Sequence, residues 1–251
     1  MKMVLLTALG VGGATLFGTV LGFIFRKISH KFSDIVLSVA AGVMLCAAVT
    51  GLIMPSLEYE GPAPLVVTIV GVLSGAVFLN LLDKLVPHLH RLAGAEQEAH
   101  PETGTRLNKI LLFVMAIAIH NLPEGIAAGV GFGSGDNAQA FTIAAGIALQ
   151  NIPEGMVIIG PMLAAGMSPK KTFLCAAATG VVEVVGTLLG YFAVSISAAI
   201  LPFALAFAGG TMLYVISDEM IPETHHSETR GVTYALLIGF CIMLAMDFFL
   251  G

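Results

Sequence analysis

Eight nearly uncharged apolar stretches decide what this chain can fold into. They run Val4–Phe25, Ile35–Met54, Leu65–Leu82, Ile110–Phe132, Ala138–Gly160, Phe173–Ile196, Leu201–Ile216 and Val232–Leu250. Most approach the ~20 residues that a helix needs to cross about 30 Å of hydrocarbon. Charged residues make up 11% of the 251, against about 25% in an ordinary soluble domain. So few charges cannot cover a water-facing surface of this size. The expected fold class is all-α: a polytopic membrane protein of eight transmembrane helices, forming a single domain over residues 1–251.

The basic residues orient the chain. With eight spans, Arg26, Lys27, Lys31, Lys84, Arg91, Arg106, Lys109, Lys170, Lys171 and Arg230 fall on one side, and Lys2 alone falls on the other. The positive-inside bias then puts both termini outside the cytoplasm, in a multi-pass protein of the cell (inner) membrane. No small-residue cleavage site with a polar start follows the first segment, so it is expected to remain as a span. The longest polar stretch, about residues 87–108, becomes a cytoplasmic loop carrying His88, His90 and His100. A second polar turn is expected after the seventh span, where Asp218, Glu219, Glu223, His225 and His226 form a candidate cytoplasmic metal site. Cys46, Cys175 and Cys241 all lie within spans and are odd in number, which argues against a disulfide framework.

One polar hexapeptide interrupts the apolar pattern twice. It reads His120-Asn121-Leu122-Pro123-Glu124-Gly125 in the fourth span and Gln150-Asn151-Ile152-Pro153-Glu154-Gly155 in the fifth. His120 and Glu124 are four apart on one helical face, and Gln150 with Glu154 repeats the geometry. Span six adds Glu183 with no basic residue near it. A charge at mid-bilayer depth costs about 2.5–3.5 kcal/mol on insertion scales, so three carboxylates need protons or cations to accompany them. Pro123 and Pro153 cannot donate to the carbonyls of Ile119 and Leu149. Helices four and five are therefore expected to kink there and to form a midplane metal centre.

One imidazole, three carboxylates and the amide oxygens of Asn121, Gln150 and Asn151 make a mixed nitrogen and oxygen donor set. It suits a borderline divalent metal such as zinc, and also iron, manganese or cadmium, and it suits copper(I) poorly. Three carboxylates exceed the charge of one divalent ion, so two adjacent ions, or one ion and a proton, would balance them. Gly186 and Gly190, like Gly125 and Gly129, have the small-xxx-small spacing of close helix packing. A membrane metalloenzyme is the alternative class, but no His-Glu-x-x-His occurs and no Glu-x-x-His lies within a span. A selective metal channel using the same residues is a further reading. Nothing points to an organic cofactor, a catalytic residue or nucleic acid. The expected partners are divalent cations and the lipid bilayer.

The doubled hexapeptide, together with Ala208-Gly209-Gly210-Thr211-Met212-Leu213-Tyr214-Val215-Ile216, resembles the ZIP (Zrt/Irt-like) family of divalent metal transporters, in particular its bacterial GufA-type branch. The resemblance implies metal uptake toward the cytoplasm, homodimers, and a binuclear centre between spans four and five. It assigns His120, Glu124, Gln150 and Glu154 to one metal position. It assigns Asn121, Asn151 and Glu183 to a second, with Glu124 and Glu154 shared. Some relatives carry Asp at the position of Asn151 or His at that of Gln150. Asp34 and Met44 in span two resemble pathway residues.

Overall fold

The computed structural model describes residues 1–25, 29–85, 106–132, 135, 137–164, 166–225 and 230–250. Within these the chain is a bundle of long helical rods: α1 (Lys2–Ile24), α2 (His30–Glu58), α3 (Pro64–Leu85), α4 (Arg106–Gly131), α5 (Asn137–Ala164), α6 (Pro169–Ile196), α7 (Leu201–Thr224) and α8 (Arg230–Leu250). Among the described residues seven helices are long and apolar enough to cross a membrane. Helices suit that setting because they satisfy every backbone polar group within one segment. The rod starts follow local chemistry. Ser29 accepts from the Phe32 amide at 3.2 Å and Ser168 from the Lys171 amide at 3.4 Å, while Pro169 and Pro202 occupy first turns that need no amide donor.

Two boundaries differ most from the sequence expectation. Helix α2 begins at His30 rather than Ile35, because the Ser29 cap starts it inside a polar stretch that hydropathy passes over. Helix α7 runs to Thr224, well beyond Ile216. Asp218, Glu219 and Glu223 are therefore helical, not members of a polar turn. Pro123 and Pro153 both lie inside their helices, α4 and α5. Most of the expected cytoplasmic loop lies outside the described residues, as does His226.

Large apolar side chains point outward, as Leu65, Leu73, Val77 and Leu81 do on α3, and Leu237, Ile238 and Phe248 on α8. The interior is built largely of Ala, Gly, Thr and Met. This inversion fits lipid, where helices gain little from hiding Leu and gain most from close backbone approach. The approaches are glycine-mediated. A Cβ at Gly125 would fall on the Glu183 carbonyl, and one at Gly186 on that of Leu122, which locks α4 to α6. The two small-xxx-small motifs read from the sequence thus meet each other.

The packing is two-fold symmetric in pattern. Exchanging α1 with α6, α2 with α7, α3 with α8 and α4 with α5 reproduces the principal neighbour pairs. It also holds at single residues. Gly155 packs on the Thr15 carbonyl as Gly125 packs on that of Glu183. Gly18 meets Ile152 as Gly186 meets Leu122, and Gly42 meets Leu236 as Gly210 meets Val72. The sequence carries the same echo: Gly12, Thr15, Gly18, Thr19 and Gly22 of α1 recur as Gly180, Glu183, Gly186, Thr187 and Gly190 of α6. Each exchange pairs an odd-numbered rod with an even-numbered one, so the halves form an inverted repeat. Helices α2 and α7 each contain a π-helical stretch, Ala47–Ile53 and Ile216–Met220, followed within two residues by a proline.

Candidate metal centre

The two hexapeptides face each other where α4 and α5 meet near the symmetry axis, with α6 behind α4 and α1 behind α5. Glu124 and Glu183 are almost completely buried, at 1% and 0% exposure, and so are Gln150 and Asn151. Gln150 Nε2 donates to Glu124 Oε1 at 3.0 Å. Glu183 is the most heavily hydrogen-bonded group of the set. Thr15 Oγ1 donates to its Oε1 at 2.6 Å, Asn121 Nδ2 also donates to Oε1, and Asn151 Nδ2 donates to Oε2 at 2.8 Å. The carboxylate of α6 is thereby tied to α1, α4 and α5 at once. Glu154 and Glu183 both lie close enough to Glu124 to act on it electrostatically.

Among the described residues seven buried side-chain oxygens have no hydrogen-bond partner: three are the hydroxyls of Thr7, Ser38 and Thr172, and four cluster in the doubled motif, Glu124 Oε2, Gln150 Oε1, Asn151 Oδ1 and Glu154 Oε1. An unpaired buried acceptor costs roughly 1–3 kcal/mol, so such a cluster is unfavourable unless something positive shares it. The residues fit a divalent cation, because these are oxygen donors of mixed charge that balance +2 with two carboxylates. Among the described residues no three His, Cys, Asp or Glu side chains gather tightly enough to hold a metal by themselves. Closing a cation site here requires the amide oxygens of the motif as well.

His120 lies at the margin of the carboxylate cluster. Its Nε2 pairs with Glu219 Oε2 at 2.6 Å, and both side chains are 20% exposed. It also acts electrostatically on Glu154, so it lies between the buried centre and the π-helical stretch of α7. Glu219, expected on a cytoplasmic turn, is thus brought to the edge of the centre. Asp218 and Glu223 remain exposed. His225 Nδ1 donates to the Ile221 carbonyl at 2.7 Å and finishes the helix. Asp34 is buried in the first turns of α2. Met44 is fully buried ten residues further on, about 15 Å along the helix, so the two cannot contribute to one site.

Sequence reasoning overlooked Thr15. A single Thr in an apolar span reads as packing, and its partner is 168 residues away. The glycine and threonine pattern shared by α1 and α6 was the available signal, since it sets Thr15 at the position matching Glu183.

Buried carboxylates and amides at the crossing of an inverted helical repeat define a class: a multi-pass membrane protein with a buried polar centre. The sequence model described as "ZIP Zinc transporter" matches residues 87–247. The chain is 39% identical to "Zinc transporter GufA" of Myxococcus xanthus, over 98% of both chains. It is 37% identical to "Zinc transporter ZIPB" of Bordetella bronchiseptica, over 95% of this chain and 78% of the relative. It is 30% identical to "Zinc transporter ZupT" of an Enterobacter species, over 97% of this chain and 95% of that one. The chain belongs to the ZIP zinc transporter family, a family of transporters rather than enzymes.

Proposed function

We propose that this protein carries divalent metal cations, zinc foremost, across the cell (inner) membrane toward the cytoplasm. Iron, manganese and cadmium are further substrates by donor chemistry, and no organic cofactor takes part. The chain acts as one eight-span domain with both termini outside, in a homodimer. The observation that carries this reading is the cluster of four unpaired buried oxygens supplied by the two hexapeptides.

A hydrated cation that reaches the centre exchanges water for Glu124, Glu154 and the Gln150 amide oxygen. Two carboxylates and one divalent ion sum to zero charge, which removes the penalty of carrying +2 through a low-dielectric interior. A second ion beside Asn121, Asn151 and Glu183 would meet a carboxylate whose oxygens already accept from Thr15, Asn121 and Asn151. The first position is therefore the easier one to fill. Kinks at Pro123 and Pro153 would turn the carbonyls of Ile119 and Leu149 toward the ion. His120 and Glu219, joined at 2.6 Å, offer the next nitrogen and oxygen donors beyond the buried pair. The names of the relatives above support zinc as the substrate.

Uptake of radioactive zinc into liposomes tests the proposal. The wild type should show saturable uptake, and Glu124→Ala should fall to the background of empty liposomes. Equal uptake by both proteins would overturn it, and uptake that does not saturate would indicate a channel.

A further inference from the structure

We propose that Thr15 is a specificity-determining positioning residue, one that restricts Glu183 to a single free lone-pair site and so favours small, low-coordination cations. The inference rests on the transport reading above.

The behaviour of Thr15 is unusual for a hydroxyl in such a bundle. Thr19, Thr142, Thr179, Thr187 and Thr211 all donate to a carbonyl three or four residues back in their own helix. That is the default for Ser and Thr in an apolar setting, where no water competes. Thr15 forgoes it and reaches across to Glu183 Oε1 at 2.6 Å. Its backbone is fixed on two sides: its carbonyl accepts from Thr19 at 2.9 Å and packs against Gly155. Gly12 and Gly180 meet one turn away, which holds α1 against α6 at the right separation. Thr15 is only 2% exposed, so water does not substitute for its hydroxyl.

The consequence follows from counting lone pairs. A carboxylate offers about four acceptor sites, two on each oxygen. Thr15 and Asn121 together fill Oε1, and Asn151 fills one site of Oε2. One site remains, on Oε2. A cation that engages Glu183 can do so through that one oxygen only. Monodentate carboxylates suit the four-coordinate geometry of zinc, whereas an ion such as manganese prefers about six oxygen ligands. Removing the Thr15 hydroxyl frees a site on Oε1 and permits both oxygens to bind one ion. Symmetry accounts for the choice of residue: Thr15 occupies in α1 the place that Glu183 holds in α6, so the two meet at the axis.

The test is the ratio of manganese to zinc uptake in liposomes, measured on full-length wild type, Thr15→Val, Thr15→Cys and Thr15→Ser. A ratio is internal to each preparation, so differences in the amount of folded protein cancel. Val is close to Thr in shape and lacks a donor, and Cys is a second weak-donor variant should Val fail to insert. The ratio should rise by roughly threefold or more in Val or Cys, the size expected of one hydrogen bond, and Ser should restore the wild-type value. An unchanged ratio in the folded Val or Cys protein, or a Ser variant that behaves like Val, overturns the inference while leaving the transport reading intact. Absence of wild-type uptake of either ion overturns both.

Discussion

Replacing Gly125 by Ala isolates the contribution of helix spacing to the centre. Its own Cα packs against Gly186, and an added methyl would fall on the backbone of Glu183, at its carbonyl oxygen, carbonyl carbon and Cα. None of these is a flexible side-chain end, so the methyl is accommodated only if α4 and α6 part. Restoring ordinary contact at about 3.5 Å or more requires a shift on the order of 1 Å. Overpacking of this kind costs about 1–3 kcal/mol, while exchanging Gly for Ala inside a helix returns up to ~1 kcal/mol. The expected net loss of stability is thus about 0–2 kcal/mol, small enough for the variant to fold. The functional loss should be larger. Glu124 sits next to the substituted position, and Glu183 is held by donors from three other helices. A misplacement of ~1 Å among reacting groups can cost about a hundredfold, so zinc uptake should fall at least tenfold by that scale. Gly10→Ala is the control, because nothing lies within 4 Å of the new methyl. Liposome zinc uptake and thermal unfolding of purified protein read the two effects separately. Wild-type uptake and wild-type Tm in Gly125→Ala would refute the argument that this contact sets the geometry of the centre.

Asn151→Asp removes the donors to Glu183 Oε2 and to the Val11 carbonyl and adds a fourth carboxylate. The metal-free protein should lose roughly 3 kcal/mol or more, and zinc should raise its Tm further than that of the wild type. A wild-type Tm in chelator would contradict this. Ser56 donates to the Pro202 carbonyl at 2.7 Å and pairs with the Thr68 hydroxyl at 2.9 Å, joining α2, α3 and α7 away from the centre. Ser56→Ala should therefore lower stability by about 1–3 kcal/mol and leave the apparent zinc affinity in uptake unchanged; a shift in affinity would place this network in the transport path.

Much of the architecture was legible because lipid simplifies the code. Long apolar runs mark the rods, and a carboxylate inside one stands out wherever it occurs. Glu124, Glu154 and Glu183 were readable on that ground alone. The ends of the rods were harder, since hydropathy treats a polar helical turn as a loop. The Ser29-capped start of α2 and the extension of α7 through Glu219 were both hidden in this way. Glu219 stays helical and half-buried because His120 provides its partner, a contact between segments that the linear pattern does not encode. Thr15 was hidden for the same reason. Glycine spacing foretold that α4 and α6 would each pack closely on something, and only the assembled bundle gave the partner.

A site placed on a two-fold axis between inverted halves looks the same from either face of the membrane. Where the halves match, the molecule has no inside or outside. The two halves nevertheless differ at and around the centre: His120 against Gln150, Glu183 against Thr15, and a π-helical stretch that carries Asp218 and Glu219 in α7 but no charge in α2. These mismatches make the two approaches to the centre chemically unlike, so an ion arriving from one face meets different donors from an ion arriving from the other.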